Sequence, residues 1–328
     1  MSRTIRWGIV STGRITHTFA RDMVSVPGGT IQAVASRRQA TAQDFAAQYG
    51  ISDVHGSYED LLANPAVDAV YIATPHTLHH DNACAALRAG KAVLCEKPLT
   101  VNRAEAESLV AVAEASGGYL MEALWTWFLP AIRQALAWVE AGRIGSLRHL
   151  KADFGYPLLP FDPDRREYDA QLGGGCLLEM GVYPVALDWL FHRRSPRSLQ
   201  ALGHFAPNGV EDDVTWLLDH GQSVSSLGTS FRCRLGNSAT LVGDEGWIHI
   251  PDFFRASECR LFELDDCVEH FQDERETVGF NYQIEAVQED LRAGRTQSAI
   301  VTHADSIAFQ EQMEAVKAVL AASRDLPQ

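Results

Sequence analysis

Ile5-Arg6-Trp7-Gly8-Ile9-Val10-Ser11-Thr12-Gly13-Arg14-Ile15-Thr16 is the stretch on which the fold turns. Ile5–Val10 reads as a buried strand, Ser11–Gly13 as a tight turn, and helical periodicity begins near Ile15. A strand that runs through such a turn into a helix brings backbone N–H groups and the positive end of the helix dipole to one point, which favours an anion. A complete dinucleotide fingerprint would carry glycine at positions 11, 13 and 16, where this chain has Ser11, Gly13 and Thr16. The glycine that survives is the middle one, which lets backbone come close to a pyrophosphate. Ser11, Thr12, Gly13, Arg14 and Ile15 are the expected contacts.

The next strand, Ile31–Ala35, ends in Ser36-Arg37-Arg38. An NAD site places an acid near here to bind the ribose 2′-hydroxyl, yet no Asp or Glu occurs between Asp22 and Asp44. Ser36 can donate a hydrogen bond, and Arg37 and Arg38 can pair with a 2′-phosphate. The expected cofactor is NADP rather than NAD.

Further along, short apolar runs alternate with helical periods as far as Glu122: strands at Ala69–Ala73, Ala92–Cys95 and Tyr119–Glu122, helices near Thr41–Tyr49, Tyr58–Leu62, His79–Ala89 and Arg103–Ala115. This alternation predicts an α/β Rossmann domain, a doubly wound parallel sheet covered on both faces. After it come a helix at Pro130–Ala141, a half-exposed strand at Leu147–Gly155, a proline- and charge-rich loop at Pro157–Tyr168 and a helix at Cys176–Phe191. Strands then arrive in a run between Leu199 and about Val268, and two helices close the chain, near Asn281–Ala293 and His303–Ala322. That run predicts an α+β domain with an open, mostly antiparallel sheet. The expected division is 1–122 for the dinucleotide domain and 123–328 for a substrate-binding and dimerisation domain, with the closing helix able to pack back on the first.

The 328 residues suit about two domains. Lys and Arg total 28 against 42 Asp and Glu, a net charge of −14, which disfavours nucleic acid and anionic membrane as partners. The six cysteines show no C-x-x-C pair and no zinc-like spacing, so no metal is expected and reduced thiols in a cytoplasmic protein are. No apolar run approaches a membrane span.

Three further elements carry a resemblance: Ala73-Thr74-Pro75-His76-Thr77-Leu78-His79-His80, then Ala92-Val93-Leu94-Cys95-Glu96-Lys97-Pro98, then Gly173-Gly174-Gly175-Cys176-Leu177-Leu178-Glu179-Met180-Gly181-Val182-Tyr183-Pro184. In this order and spacing the whole chain resembles the glucose–fructose oxidoreductase (Gfo/Idh/MocA) family. Within it, Ala92–Pro98, Leu120–Trp127 and Tyr183 resemble the dimeric dihydrodiol dehydrogenase group, NADP-linked enzymes of trans-dihydrodiols and of aldoses such as D-xylose. The resemblance implies an oxidoreductase that moves hydride between NADP and a secondary alcohol or carbonyl of a sugar, polyol or dihydrodiol, working as a homodimer whose sheet faces pair. Two alternatives are a catalytically silent NADP-binding regulator and a keto-sugar or inositol oxidoreductase.

The resemblance also implies roles. Lys97, just past a strand end, would hydrogen-bond the substrate oxygen and stabilise developing negative charge. Tyr183, usually histidine in the family, would act as general acid–base with its phenol made more acidic by the ammonium. Glu179, usually aspartate, lies one helical turn earlier and would orient Tyr183 or a substrate hydroxyl. Glu96 would contact the nicotinamide ribose or hold the loop, Pro98 would shape the turn, and Thr74, Pro75 and His79 would border the cofactor. Trp125, Phe154, Phe254 and Phe280 are expected to form an aromatic wall that suits an arene diol or the C–H face of a sugar.

Overall fold

The computed structural model describes residues 3–324. Its first sheet comprises β1 (Ile5–Val10), β2 (Gly29–Ala35), β3 (Asp53–His55), β4 (Ala69–Ile72), β5 (Ala92–Glu96) and β6 (Leu120–Ala123), with α1 (Arg14–Met23), α2 (Gln39–Tyr49), α3 (Tyr58–Ala63), α4 (His79–Arg88) and α5 (Arg103–Ser116) between them. The strand order is β3-β2-β1-β4-β5-β6, every pair parallel. β4, β5 and β6 are buried along their whole length. Covered on both faces, they show continuous apolar runs instead of alternation. At Gly8 an added Cβ would lie 2.8 Å from Leu61 Cδ2, so the first strand needs glycine there to let α3 pack down. The order reverses between β1 and β4, the switch point where doubly wound folds bind ligands.

Next come α6 (Pro130–Glu140), β7 (Leu147–Gly155), a π-helical turn at Leu177–Gly181, α7 (Val182–His192), and then β8 (Ser198–Phe205), β9 (Glu211–Asp219), β10 (Val224–Ser230), β11 (Ala239–Gly243), β12 (Trp247–Ile250), β13 (Glu258–Glu263) and β14 (Asp266–Gln272). These eight strands form one sheet in the order β14-β13-β12-β11-β7-β10-β9-β8, antiparallel except for the β7–β10 pair. Helices α8 (Phe280–Arg292) and α9 (His303–Arg324) complete the chain. α7 packs on β7 and β10, α6 on β12 and β13, and α9 brings Leu320 against Gly203 of β8. Burial alternates along β9, the pattern of a half-covered strand.

The chain divides into two units, residues 1–125 with 275–307, and residues 126–274 with 308–328. The first unit is thus discontinuous: α8, which a single boundary near residue 122 assigns to the second domain, groups with the Rossmann sheet. Asp22 of α1 accepts backbone N–H bonds from Gly279 at 3.0 Å and Phe280 at 2.9 Å, seating the start of α8. No described helix is long and apolar enough to cross a membrane. All six cysteines are free thiols, four of them buried.

The expected helix at Cys176–Phe191 is two pieces. Its first turn, Leu177–Gly181, has π spacing, and regular α geometry starts only at Val182. Such turns mark one extra residue in a helix and cluster at functional sites. Three strands, β3, β13 and β14, were not expected.

Candidate functional site

In the first unit the phosphate turn has the form that an anion requires. Ser11 takes φ +100°, Gly13 is the residue before α1, and no side chain caps the helix or places an acid in its first turn. A Cβ at Gly13 would sit 3.7 Å from Ser11 Oγ and 3.9 Å from Ala73 O, ordinary contact distances, so the protein's own packing does not demand glycine there. Thr16, where the fingerprint has its last glycine, is wholly buried and donates its hydroxyl to Gly13 O at 2.6 Å, fastening the turn. Thr12, Arg14 and Ile15 flank it, with Arg14 and Ile15 exposed. These features fit a dinucleotide.

Ser36 is buried and bonds Thr41 Oγ1 at 2.7 Å, and Thr41 in turn donates to Arg38 O at 2.9 Å. This fixes the first turn of α2 with Arg38 at its N-cap position. The two arginines part company. Arg38 lines a cleft of about 230 Å³ that also reaches Thr12, whereas the charge of Arg37 acts on the phenol of Tyr58. Sequence reasoning passed over His17, Thr41 and Phe45, which line the same cleft. A signal was available: His17 falls one turn inside α1 and Thr41 in the first turn of α2, on the turns nearest Ser11–Gly13 and Ser36–Arg38.

The Glu96-Lys97-Pro98 turn is held from three sides. Tyr71 donates its hydroxyl to Glu96 Oε1, and Lys97 N donates to Glu96 Oε2 at 3.2 Å. His79 is fully buried, with Nδ1 2.8 Å from Pro98 O and Nε2 2.9 Å from Thr74 O, so it ties the loop after β4 to the loop after β5. The third support is Glu122, also passed over: Oε1 accepts Leu99 N at 2.9 Å. Burial pushes its carboxyl up to about 7, against the opposing pull of Ser306 and the Leu99 N–H. The Lys97–Pro98 peptide is cis. From Lys91 to Thr100 every residue is buried save Lys97. The strand end therefore presents one cation from an otherwise sealed segment. Thr74 is buried and takes a bond from Asn82 at 3.2 Å, and Pro75 beside it is half-buried. Trp125 meets Phe280 at 5.0 Å between ring centroids, tilted by 38°.

The second unit gathers the other aromatics. Phe154 stacks on Phe254 at 4.0 Å and 19°, and the Tyr183 ring stands edge-on to Phe154 at 5.3 Å. Tyr156, two residues beyond Phe154 and missed by the sequence reading, joins them at 5.6 Å. Tyr183 itself is 7% exposed. Glu179 sits inside the π turn, so its regular one-turn relation to Tyr183 on an α-helix does not hold. Its Oε2 instead accepts Arg166 Nη2 at 2.8 Å, an ion pair from the Pro157–Tyr168 loop. Gly175, at φ +119°, packs so closely on Glu211 that a Cβ would collide with the carboxylate, which accounts for glycine at the end of that run.

Behind Tyr183 on α7 the structure also converges Asp188, His192 and His220, three groups whose ligand atoms lie within 4.8 Å of one another. The two imidazoles stack at 3.8 Å and 8°. Parallel rings aim their nitrogens side by side at the carboxylate, at 3.1 and 3.2 Å, and Ser225 donates to Oδ1 at 2.5 Å. The donors gather on Oδ1, while Asp188 Oδ2 and His220 Nδ1 are buried without a hydrogen-bond partner among the described residues.

Comparison with known proteins agrees with this picture. Residues 5–124 match the oxidoreductase family with an NAD-binding Rossmann fold, and residues 132–249 match the GFO/IDH/MocA C-terminal domain. The chain is 35% identical over 322 residues to trans-1,2-dihydrobenzene-1,2-diol dehydrogenase of Mus musculus, covering 94% of this chain and 95% of the mouse protein. It is 34% identical over 328 residues to that of Homo sapiens, covering 95% and 96% of the two chains. A 3-ketoreductase from Actinomadura kijaniata, solved with NADP and TDP-benzene, superposes with a TM-score of 0.84 at 29% identity, over 97% of this chain and 98% of the ketoreductase. The aldose–aldose oxidoreductase of Caulobacter crescentus shares the fold at a TM-score of 0.90 and 23% identity, over 98% and 99%. By sequence over nearly its whole length and by fold, the chain belongs to the Gfo/Idh/MocA oxidoreductase family.

Proposed function

We propose that this protein is an NADP-dependent oxidoreductase acting on a CH–OH carbon, or its carbonyl, in a sugar, polyol or trans-dihydrodiol. The observation that carries the reading is the single partly exposed cation, Lys97, at the end of a buried parallel strand, braced by Glu96, His79 and Glu122. When bound, NADP supplies or accepts the hydride. Lys97 hydrogen-bonds the substrate oxygen and stabilises the negative charge that grows on it. Tyr183 carries the proton of that oxygen, and Glu179, held by Arg166, orients the substrate or the phenol. Phe154 and Phe254 offer an apolar face, with Trp125 and Phe280 as a second one on the Rossmann unit. Both suit a flat arene ring and the C–H side of a pyranose. Ser11–Ile15 hold the pyrophosphate, Ser36, Arg37 and Arg38 the 2′-phosphate, and Thr74, Pro75, His79 and Glu96 border the nicotinamide half.

A homodimer through the exposed face of the eight-stranded sheet completes the reading. Leu202, Leu217 and Val224 on β8, β9 and β10 project from one side of that sheet and are 77%, 45% and 41% exposed. Free thiols support a cytoplasmic location.

Lys97→Met tests the chemistry. Turnover with a panel of aldoses, inositols and arene dihydrodiols is expected to fall by roughly 10³-fold, the size typical of losing a group that stabilises transition-state charge, while NADPH binding persists. Near-normal turnover in that variant removes Lys97 from the mechanism.

A further inference from the structure

The cleft between α1 and α2 carries a group that the motif reading does not use. His17 lies one turn into α1 and borders the same space as Thr12 of the phosphate turn and Arg38 of the β2 end. Its ring is fixed. Nδ1 meets the Tyr49 hydroxyl at 2.9 Å, and the imidazole packs on Phe45 at 4.8 Å and on Tyr49 at 5.6 Å. With Nδ1 engaged by Tyr49, Nε2 is the ring's remaining polar atom. The Tyr49 hydroxyl also lies 3.4 Å from His17 O. In the tautomer whose Nδ1 accepts from this phenol the ring proton sits on Nε2, and the cleft is offered an N–H.

We infer that His17 is a specificity residue for the cofactor, its Nε2–H joining Arg38 in binding the 2′-phosphate of NADP. The inference rests on the NADP reading above and deepens it. The argument is one of placement. A dinucleotide whose pyrophosphate lies on Ser11–Gly13 has its adenosine half running toward the end of β2. Thr12 and Arg38 mark those two points, and His17 lines the same cleft. Arg38 alone presents a mobile, exposed guanidinium; an imidazole pinned by Tyr49 and Phe45 adds a donor whose direction is already set, so little freedom is lost on binding. Thr41 adds a hydroxyl on the same wall, while Asp44, the carboxylate lining the cleft, repels an anion at its own end and suits a hydroxyl or amine of the nucleoside. Arg37 is not among the residues that form this cleft.

The test compares 2′,5′-ADP with 5′-ADP by isothermal titration on the whole protein. His17→Phe keeps an aromatic ring against Phe45 and removes the donor; His17→Asn serves as a second variant with a smaller side chain. Both are expected to weaken 2′,5′-ADP by about tenfold, the size of one charge-assisted hydrogen bond, and to change 5′-ADP by less than about twofold. Equal weakening of both ligands makes His17 a packing residue and overturns the inference. So does an unchanged affinity for 2′,5′-ADP in variants that remain folded by circular dichroism. A wild-type protein that binds 5′-ADP as tightly as 2′,5′-ADP overturns the NADP reading itself, and the inference with it.

Discussion

Each unit buries a carboxylate, and the two are held in opposite states. Glu122, on β6 of the Rossmann unit, has one backbone N–H and the Ser306 side chain to offset its burial, with Glu96 nearby working against it, and its carboxyl rises to about 7. Asp188, on α7 of the other unit, is as deeply buried, yet hydrogen bonds from His192 and His220 outweigh the desolvation and bring it down to about 2. Burial alone does not decide whether an acid ionises; the number and charge of the donors aimed at it does. The Rossmann unit keeps a neutral-leaning acid beneath its Lys97 turn, where an added negative charge would compete for the ammonium. The sheet unit uses a full charge as a rivet between α7, the turn before β10 and β10 itself.

Removing the rivet should have the largest effect. Asp188→Ala leaves two stacked imidazoles facing a void, and a loss of about 3–5 kcal/mol is expected in denaturant unfolding, as for other broken buried pairs. A loss below 1 kcal/mol would mean that the histidines do not lean on the carboxylate. The same contact has an acid limb. The stability it contributes is present above the unfolded aspartate range near 3.8 and is lost as pH falls toward about 2.

Glu122 should show the opposite slope. Its folded pKa lies above its unfolded value of 4.5, so it costs nothing at pH 4 and its cost grows as pH rises to about 7. Glu122→Gln keeps the acceptor for Leu99 N and should remove that slope. The variant is expected to gain on the order of 3 kcal/mol relative to wild type at pH 8 compared with pH 4. Parallel stability–pH curves for the two proteins would refute it. Ser225→Ala sharpens the comparison by taking one neutral donor from Asp188. A loss of about 1–2 kcal/mol is expected, read as a shift in the denaturation midpoint, with the histidine pair keeping the aspartate ionised.

The two halves also differ in how much their residues disclosed. Buried runs such as Ala69–Ile72 and Ala92–Glu96 stand out between helical periods, so the parallel sheet was legible nearly strand by strand. β14 was not: it is an edge strand of Asp266-Cys267-Val268-Glu269-His270-Phe271-Gln272, exposed along almost all of its length, and an edge that solvent keeps polar carries no apolar alternation. Lys97 and the glycines at 13 and 175 could be singled out because they stand in short local motifs. Glu122 and Asp188 could not be ranked, because their states depend on partners distant in the chain, Leu99 and Ser306 for the one, His220 and Ser225 for the other. His79 was placed at the cofactor border by motif, and the structure gives it a stapling task between two loops. His17 was silent for a related reason: its partners, Phe45 and Tyr49, stand on a neighbouring helix.

The π-helical turn at Leu177–Gly181 has its own consequence. A turn of that kind takes up one residue more than an α-helical turn while leaving the chain on either side nearly in phase. Were the same residues to rewind as a regular spiral, one flank would swing by about 100° relative to the other, the angle of one residue. The phenol at 183 and the triple-glycine segment would then no longer face the directions they now do. The wide turn is consequently as much a part of this segment's identity as the residues in it.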